Sequence, residues 1–273
     1  MSAGLPLLAK KIRRDIVEMA IAAGRGHIAS AFSLVEMLLV LYENVLHVSP
    51  DNPNDPNRDR LILSKGHGCL ALYAILAHAG FFPRDELWRF GQADSILGGH
   101  PERSKIPGVE ASTGALGHGL SIGVGIALAA KMDERRYRTF VIVGDGECNE
   151  GTVWEAALSA AKHQLGALTV LVDYNKMQSY GRTSEVLELE PFADKWHAFG
   201  FRVFQADMNA PEHFAAIMAS CTEIIGRQPN AIICHTVKGK GVSFVENNPH
   251  WHHRSRLSDD EIHRLRAELN RVD

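Results

Sequence analysis

Thr139-Phe-Val-Ile-Val143 runs straight into Gly144-Asp145-Gly146, and further on Leu168-Thr-Val-Leu-Val172 runs into Asp173-Tyr174-Asn175. Each run is a short, unbroken apolar stretch rich in β-branched residues, which is the pattern of a strand buried on both faces. Residues 152–165 between them carry apolar side chains at helical spacing, so the segment reads strand, turn, helix, strand. Asp145 and Asn175 stand 30 positions apart, about what one crossover unit needs to set two parallel strands side by side. Both residues therefore arrive at the carboxyl edge of the same sheet, where open α/β sheets take their ligands.

The same alternation extends outward. A helix is expected at 120–133, another near 191–199 and a third at 211–226, with strands at 201–205 and 230–235. Upstream, Leu61-Ile62-Leu63 is a short strand ending at Ser64-Lys65-Gly66-His67, followed by helices at 68–80 and 84–91. Leu5 to Ala23 and Ser33 to Leu46 form two opening helices, the second started by a Ser33/Glu36 capping box, and Ser258/Glu261 starts a charged final helix. Residues 92–119 form a long loop with six glycines, a length that points to function. The fold class is α/β, a parallel sheet with helices on both faces, and with no repeat or linker the expectation is one domain over 1–273.

Composition narrows the classes. Lys+Arg number 29 against Asp+Glu 32, giving a net charge of −3 without a block of one sign, which argues against a nucleic-acid surface. The uncharged apolar stretch 69–82 is too short for a membrane span. Basic residues follow the first apolar ones instead of preceding them, the reverse of a signal peptide, so a cytoplasmic chain is expected. Cys69, Cys148, Cys221 and Cys234 are too far apart for a metal-binding pair and read as reduced core thiols.

Fourteen histidines are the unusual element of the composition. His47, His78, His163, His197, His213 and His263 read as ordinary packed or solvated side chains, whereas His27, His67 and His100 sit in glycine-flanked turns. His252 lies in His250-Trp251-His252-His253, which reads as a solvated loop if it is not part of a site. A carboxylate at 145 and an amide oxygen at 175 are hard donors suited to Mg²⁺ or Ca²⁺ and, through the metal, to a diphosphate. Gly144 and Gly146 let backbone approach such a ligand, and the following helix adds its positive end.

Gly144-Asp145-Gly146 followed by Asn175 resembles the thiamin-diphosphate binding motif, and the surrounding sequence resembles transketolase. The stretches that carry the resemblance, in the family's order, are Gly24-Arg-Gly-His27, Leu63-Ser-Lys-Gly-His67-Gly, Gly98-Gly-His100-Pro-Glu, Ser112-Thr-Gly-Ala-Leu-Gly-His-Gly119, Gly144-Asp-Gly-Glu-Cys-Asn-Glu150-Gly, Asp173-Tyr-Asn-Lys176 and Lys238-Gly-Lys-Gly-Val-Ser-Phe244. The resemblance implies a thiamin-diphosphate-binding fold. It also implies Mg²⁺, with Ca²⁺ or Mn²⁺ as substitutes, held by Asp145, Asn175 and the carbonyl of Met177. His27, His67 and His252 would lie by the diphosphate and substrate hydroxyls, with His100 at the substrate's reacting end. Gly114 and Leu116 would contact the aminopyrimidine ring, and Gly144, Gly146 and Glu150 would complete the cofactor side, with Glu150 and Glu155 at the family's subunit interface. The sequence departs from the family at His118, where Gln is common, at Ile28-Ala29-Ser30, and at His253, where Gly is common.

The chain is less than half a full transketolase, whose second domain supplies the glutamate that acts on the aminopyrimidine ring. The resemblance therefore implies the N-terminal subunit of a split transketolase, inactive alone and completed by a C-terminal subunit in an α2β2 assembly. It would move a two-carbon ketol unit from a ketose phosphate to an aldose. The departures keep a specialised catabolic sugar, branched or sulfonated, beside the ordinary pentose phosphates. The α subunit of a thiamin-diphosphate 2-oxoacid dehydrogenase and a non-catalytic paralogue are the competing readings.

Overall fold

The computed structural model describes residues 4–223, 226–252, 254 and 256–271. In chain order its helices are α1 (Leu5–Ala23), α2 (Ile28–Phe32), α3 (Val35–Val40), α4 (Cys69–His78), α5 (His118–Met132), α6 (Gly151–Lys162), α7 (Thr183–Val186), α8 (Phe192–Ala198), α9 (Pro211–Glu223) and α10 (Asp259–Asn270). The strands are β1 (Arg60–Leu63), β2 (Thr139–Gly144), β3 (Leu168–Tyr174), β4 (Met177–Gln178), β5 (Gly181–Arg182), β6 (Arg202–Asp207) and β7 (Asn230–His235). Five of them make one parallel sheet in the order β1-β2-β3-β7-β6, and β4 and β5 form a small antiparallel hairpin.

Alternation along the strands divides the core. Phe140, Ile142, Leu171 and Ile232 face a layer built by α1 to α4, α9 and α10, whereas Val141, Val143, Val170, Val172 and Ile233 face α5, α6 and α8. Every residue of β2 and β3 is buried, which the apolar runs at 140–143 and 170–172 suit. The expected parallel sheet with two helical layers is therefore what forms.

Register places the chemistry. Gly144 pairs with Asp173 at the end of β2 and β3, so Asp145 and Asn175 leave the sheet at the same edge. β1 ends beside them, because Leu63 pairs with Ile142, and delivers Ser64, Lys65 and the 3-10 turn Gly66–Gly68. The long loop ends at Gly117, whose φ of +82° starts α5.

Two local expectations are corrected. Ser33 and Glu36 do not form a capping box: Ser33 Oγ donates to Asp173 (2.7 Å) and both oxygens of Glu36 accept from buried Arg13 (2.9 and 2.8 Å). The helix accordingly starts later, over Val35–Val40, and continues as a π-helical turn at Leu41–Val45. The segment expected as a helix at 84–91 is a 3-10 turn at Arg84–Arg89. The Ser258/Glu261 box does form, with the Glu261 amide donating to Ser258 Oγ at 3.3 Å and the Ser258 amide donating to Glu261 at 2.8 Å.

Candidate active site

At the carboxyl edge, Asp145, Asn175 and Met177 are all buried, at 2%, 5% and 3% exposure. Asp145 Oδ1 accepts from the Gly146 amide at 2.7 Å, and Oδ2 accepts from the amide of Lys176. Lys176 takes a φ of +63°, an unusual backbone for a non-glycine residue, and that turn brings its N–H onto Asp145. Asn175 Oδ1 accepts from the Met177 amide at 3.1 Å, and its Nδ2 donates to Asp173 at 3.3 Å. One carboxylate, one amide oxygen and one backbone carbonyl thus gather in a dry corner. This all-oxygen set is the chemistry of a Mg²⁺ or Ca²⁺ site completed by phosphate oxygens. Among the described residues no group of three or more His, Cys, Asp or Glu side chains is arranged to hold a metal, so any ion here depends on the amide and carbonyl oxygens.

Beneath this corner lie charges whose pairing only the structure shows. Lys65 forms a buried ion pair with Asp173, which also accepts from Ser33 and Thr236. Burial pushes the Asp173 carboxyl up, but the Lys65 charge and these donors together hold it below its ordinary value. Asp145 is compensated less fully, and burial together with the Asp173 charge pushes it up to about 7. Lys238 is 2% exposed and donates to the Met177 carbonyl (3.3 Å) and to His252 Nδ1. Burial and the neighbouring Lys65 push Lys238 down to about 7. A buried lysine has no local signature, so only its pairing in space reveals this role.

Three of the four expected histidines converge. The rings of His27 and His67 lie 5.6 Å apart, His67 and His252 6.2 Å, and His27 and His252 6.5 Å. His27 Nδ1 stands 3.2 Å from the His252 carbonyl. A carbonyl only accepts, so Nδ1 carries the proton and Nε2 is the proton-accepting nitrogen of the neutral ring. His252 is the opposite tautomer: Nδ1 accepts from Lys238, so Nε2 donates to Ser179 Oγ at 3.3 Å. Burial, then Lys65 and the other nearby cations, hold His67 well below its ordinary pKa and so neutral. His100 stands apart from this trio. It is exposed and covers Gly114, where an added Cβ would meet its ring at 2.7 Å.

Gly114 and Leu116 lie in the glycine-rich loop, half-buried, near the start of α5, and Glu150 is exposed at the N-cap of α6. Glu155 is exposed on the same helix. His118 is exposed, with Nδ1 3.1 Å from the Leu116 carbonyl. The expectation for His253 lies outside the described residues. The six histidines read as ordinary are all exposed, and the four cysteines are buried and free. Among the described residues no helix is long and apolar enough to cross a membrane.

Known proteins share this fold. Residues 7–271 match the family described as transketolase, thiamine diphosphate binding domain. The chain is 42% identical over 249 residues to a subunit of the apulose-4-phosphate transketolase of Phocaeicola vulgatus, covering 91% of this chain and 88% of that one. It is 39% identical over 263 residues to a 6-deoxy-6-sulfo-D-fructose transketolase subunit of a Clostridium species, covering 96% and 95%. Among solved structures, transketolase from Leishmania mexicana superposes with a TM-score of 0.90 at 29% identity, covering 99% of this chain but 42% of its own. The chain thus spans well under half of a full-length transketolase and nearly all of the two separate subunits. It belongs to the transketolase family, whose N-terminal, thiamine-diphosphate-binding part it matches from Leu7 to Arg271.

Proposed function

We propose that this chain is the N-terminal subunit of a split transketolase that works in the cytoplasm, with Mg²⁺ and with a separate C-terminal subunit, on a specialised phosphorylated or sulfonated sugar. The observation that carries this reading is the convergence of Asp145, Asn175 and Met177 with three histidines at one sheet edge. They do so in a chain that covers 88% of the apulose-4-phosphate transketolase subunit but 42% of a full-length enzyme. The substrate class follows the relatives named for apulose 4-phosphate and 6-deoxy-6-sulfo-D-fructose.

Asp145, Asn175 and the Met177 carbonyl would hold the metal against the diphosphate, with Gly144 and Gly146 admitting it closely. Bound thiamine diphosphate supplies the carbanion-stabilising chemistry of ketol transfer. His27 takes a proton from a substrate hydroxyl at Nε2, its Nδ1–H being held by the His252 carbonyl. His67, kept neutral, hydrogen-bonds a substrate hydroxyl as donor or acceptor. His252, fixed by Lys238, orients alongside them, and His100 meets the reacting end from above Gly114. Gly114 and Leu116 receive the ring end of the cofactor.

Ile122 and Met132 on α5 and Leu158 on α6 are exposed large apolar residues, a surface suited to assembly, and α6 also carries Glu155 and, at its N-cap, Glu150. A separate subunit bearing the pyrimidine-binding domain would cover them in an α2β2 complex. Buried, free cysteines suit a reducing cytoplasm. The test is a coupled ketol-transfer assay of the chain, its partner and their mixture with thiamine diphosphate and Mg²⁺. Donors would be xylulose 5-phosphate, branched sugar phosphates and sulfonated sugars. Activity only in the mixture is expected, strongest on a specialised donor; substantial turnover by the single chain overturns the split-enzyme reading.

A further inference from the structure

We propose that Glu147 is a positioning residue that sets the spacing between the two ends of the cofactor site, by tying the glycine loop 112–119 to the Gly144–Gly146 turn. This rests on the functional reading above and deepens it. The Glu147 side chain is buried at 3% exposure. Its Oε1 accepts from the Gly117 amide at 2.9 Å and from Ser64 Oγ, and its Oε2 accepts from the Gly144 amide at 2.9 Å. One carboxylate thereby joins the end of β1, the glycine loop and the metal-side turn, the first two lying 83 and 30 residues away from it in sequence.

These segments are also closely packed, so a shift in one moves the others. A Cβ on Gly66 would meet the Thr113 carbonyl carbon at 2.8 Å, and one on Gly119 would meet Ser64 Oγ at 2.3 Å. A Cβ on Gly117 would meet Thr152 Oγ1 at 2.3 Å. Gly114 and Leu116 lie within three residues of Gly117, and Asp145 lies two residues before Glu147. The ring end and the diphosphate end are therefore referenced to the same side chain. Three donors require a group that only accepts, and a carboxylate meets this where an amide would turn an N–H₂ toward one of the backbone N–H groups. Water cannot repair the mismatch in so buried a place.

Glu147→Gln tests the proposal on two levels. In the chain alone, hydrogen exchange of amides 113–119 and Gly144 should accelerate roughly tenfold, because their tie is lost, while the centres of β2 and β3 keep their protection. Unchanged exchange overturns the proposal whatever the chain's function. In the enzyme assembled with its partner subunit, the KM for thiamine diphosphate should rise roughly 10- to 100-fold, with kcat at saturating cofactor within about twofold of wild type. Inhibition by Mg²⁺-pyrophosphate, which fills only the diphosphate end, should change by less than about twofold on the same reasoning. Equal losses for cofactor and pyrophosphate would mean a merely structural role and overturn the proposal. Ser64→Ala removes one donor from the same carboxylate and should shift loop exchange and cofactor KM in the same direction by about threefold; if Glu147→Gln does not fold, the absence of both shifts in Ser64→Ala overturns it. A wild-type assembly that binds no thiamine diphosphate sinks the functional reading, a result distinct from an unmoved variant.

Discussion

Lys65 and Asp173 form an ion pair in which the side chains are 2% and 0% exposed, directly beneath the turn that carries Asp145. Two charges so deep are tolerated because each compensates the other and Asp173 also accepts from Ser33 and Thr236. Lys65→Met leaves that carboxylate unpaired in the interior. The expected loss of unfolding free energy is about 3–5 kcal/mol, measured by urea denaturation. A Lys65→Met/Asp173→Asn double variant should recover part of it; additive losses would show that the two groups do not act as a pair.

Asp145→Ala removes the one charged donor of the proposed metal set. Titration calorimetry of the assembled enzyme should show wild-type thiamine diphosphate binding that depends on Mg²⁺ and is abolished by EDTA. The variant should show no metal-dependent binding at all. Wild-type metal dependence in Asp145→Ala would move the site elsewhere.

The histidine trio carries a stability signature in acid. Burial and nearby cations hold the folded His67 below its unfolded pKa of about 6.5. Between the two values the unfolded chain binds the extra proton, so stability rises with pH through this window and falls as pH drops below about 6.5. Asp145, pushed up to about 7, contributes in the opposite sense over this range, so the His67 contribution is read as a difference: between about pH 7 and about pH 5 the thermal midpoint of the wild-type chain should fall relative to that of His67→Gln. Identical pH profiles for the two chains would remove His67 as a source.

Substituting His67 or His100 by Ala should slow turnover more than it weakens cofactor binding. A positioned acid–base group contributes roughly 10²–10⁴-fold to rate, so kcat should fall within that range while the KM for thiamine diphosphate changes by a few-fold. Steady-state kinetics with cofactor and donor sugar varied separately check this. A change confined to cofactor KM would reassign the residue to binding.

Gly114 has a φ of +141°, and a Cβ there would strike the His100 ring. Gly114→Ala is therefore strained in backbone and crowded in space. The expected outcome is a displaced His100 and a kcat reduced by about tenfold or more with the chain still folded. Near-UV and far-UV circular dichroism beside the assay separate this local effect from unfolding.

Much of this protein is legible in its sequence because the signals are local. The runs at 139–143 and 168–172 define buried strands by composition, Gly144-Asp145-Gly146 and Asn175 end them with turn residues and oxygen donors, and one crossover length makes them neighbours. Histidines in glycine turns mark the same edge. Other features were decided only by tertiary structure. Glu36 belongs to a sequence that would cap a helix, yet Arg13, 23 residues away, claims it, because a buried guanidinium needs a carboxylate more than a helix end needs a cap. Lys65 meets Asp173 across 108 residues, and His27 reaches the His252 carbonyl across 225. Such pairings, and the burial that sets the proton on each imidazole and carboxylate, depend on which chain segments exclude water together, and no residue's immediate neighbours in sequence encode that.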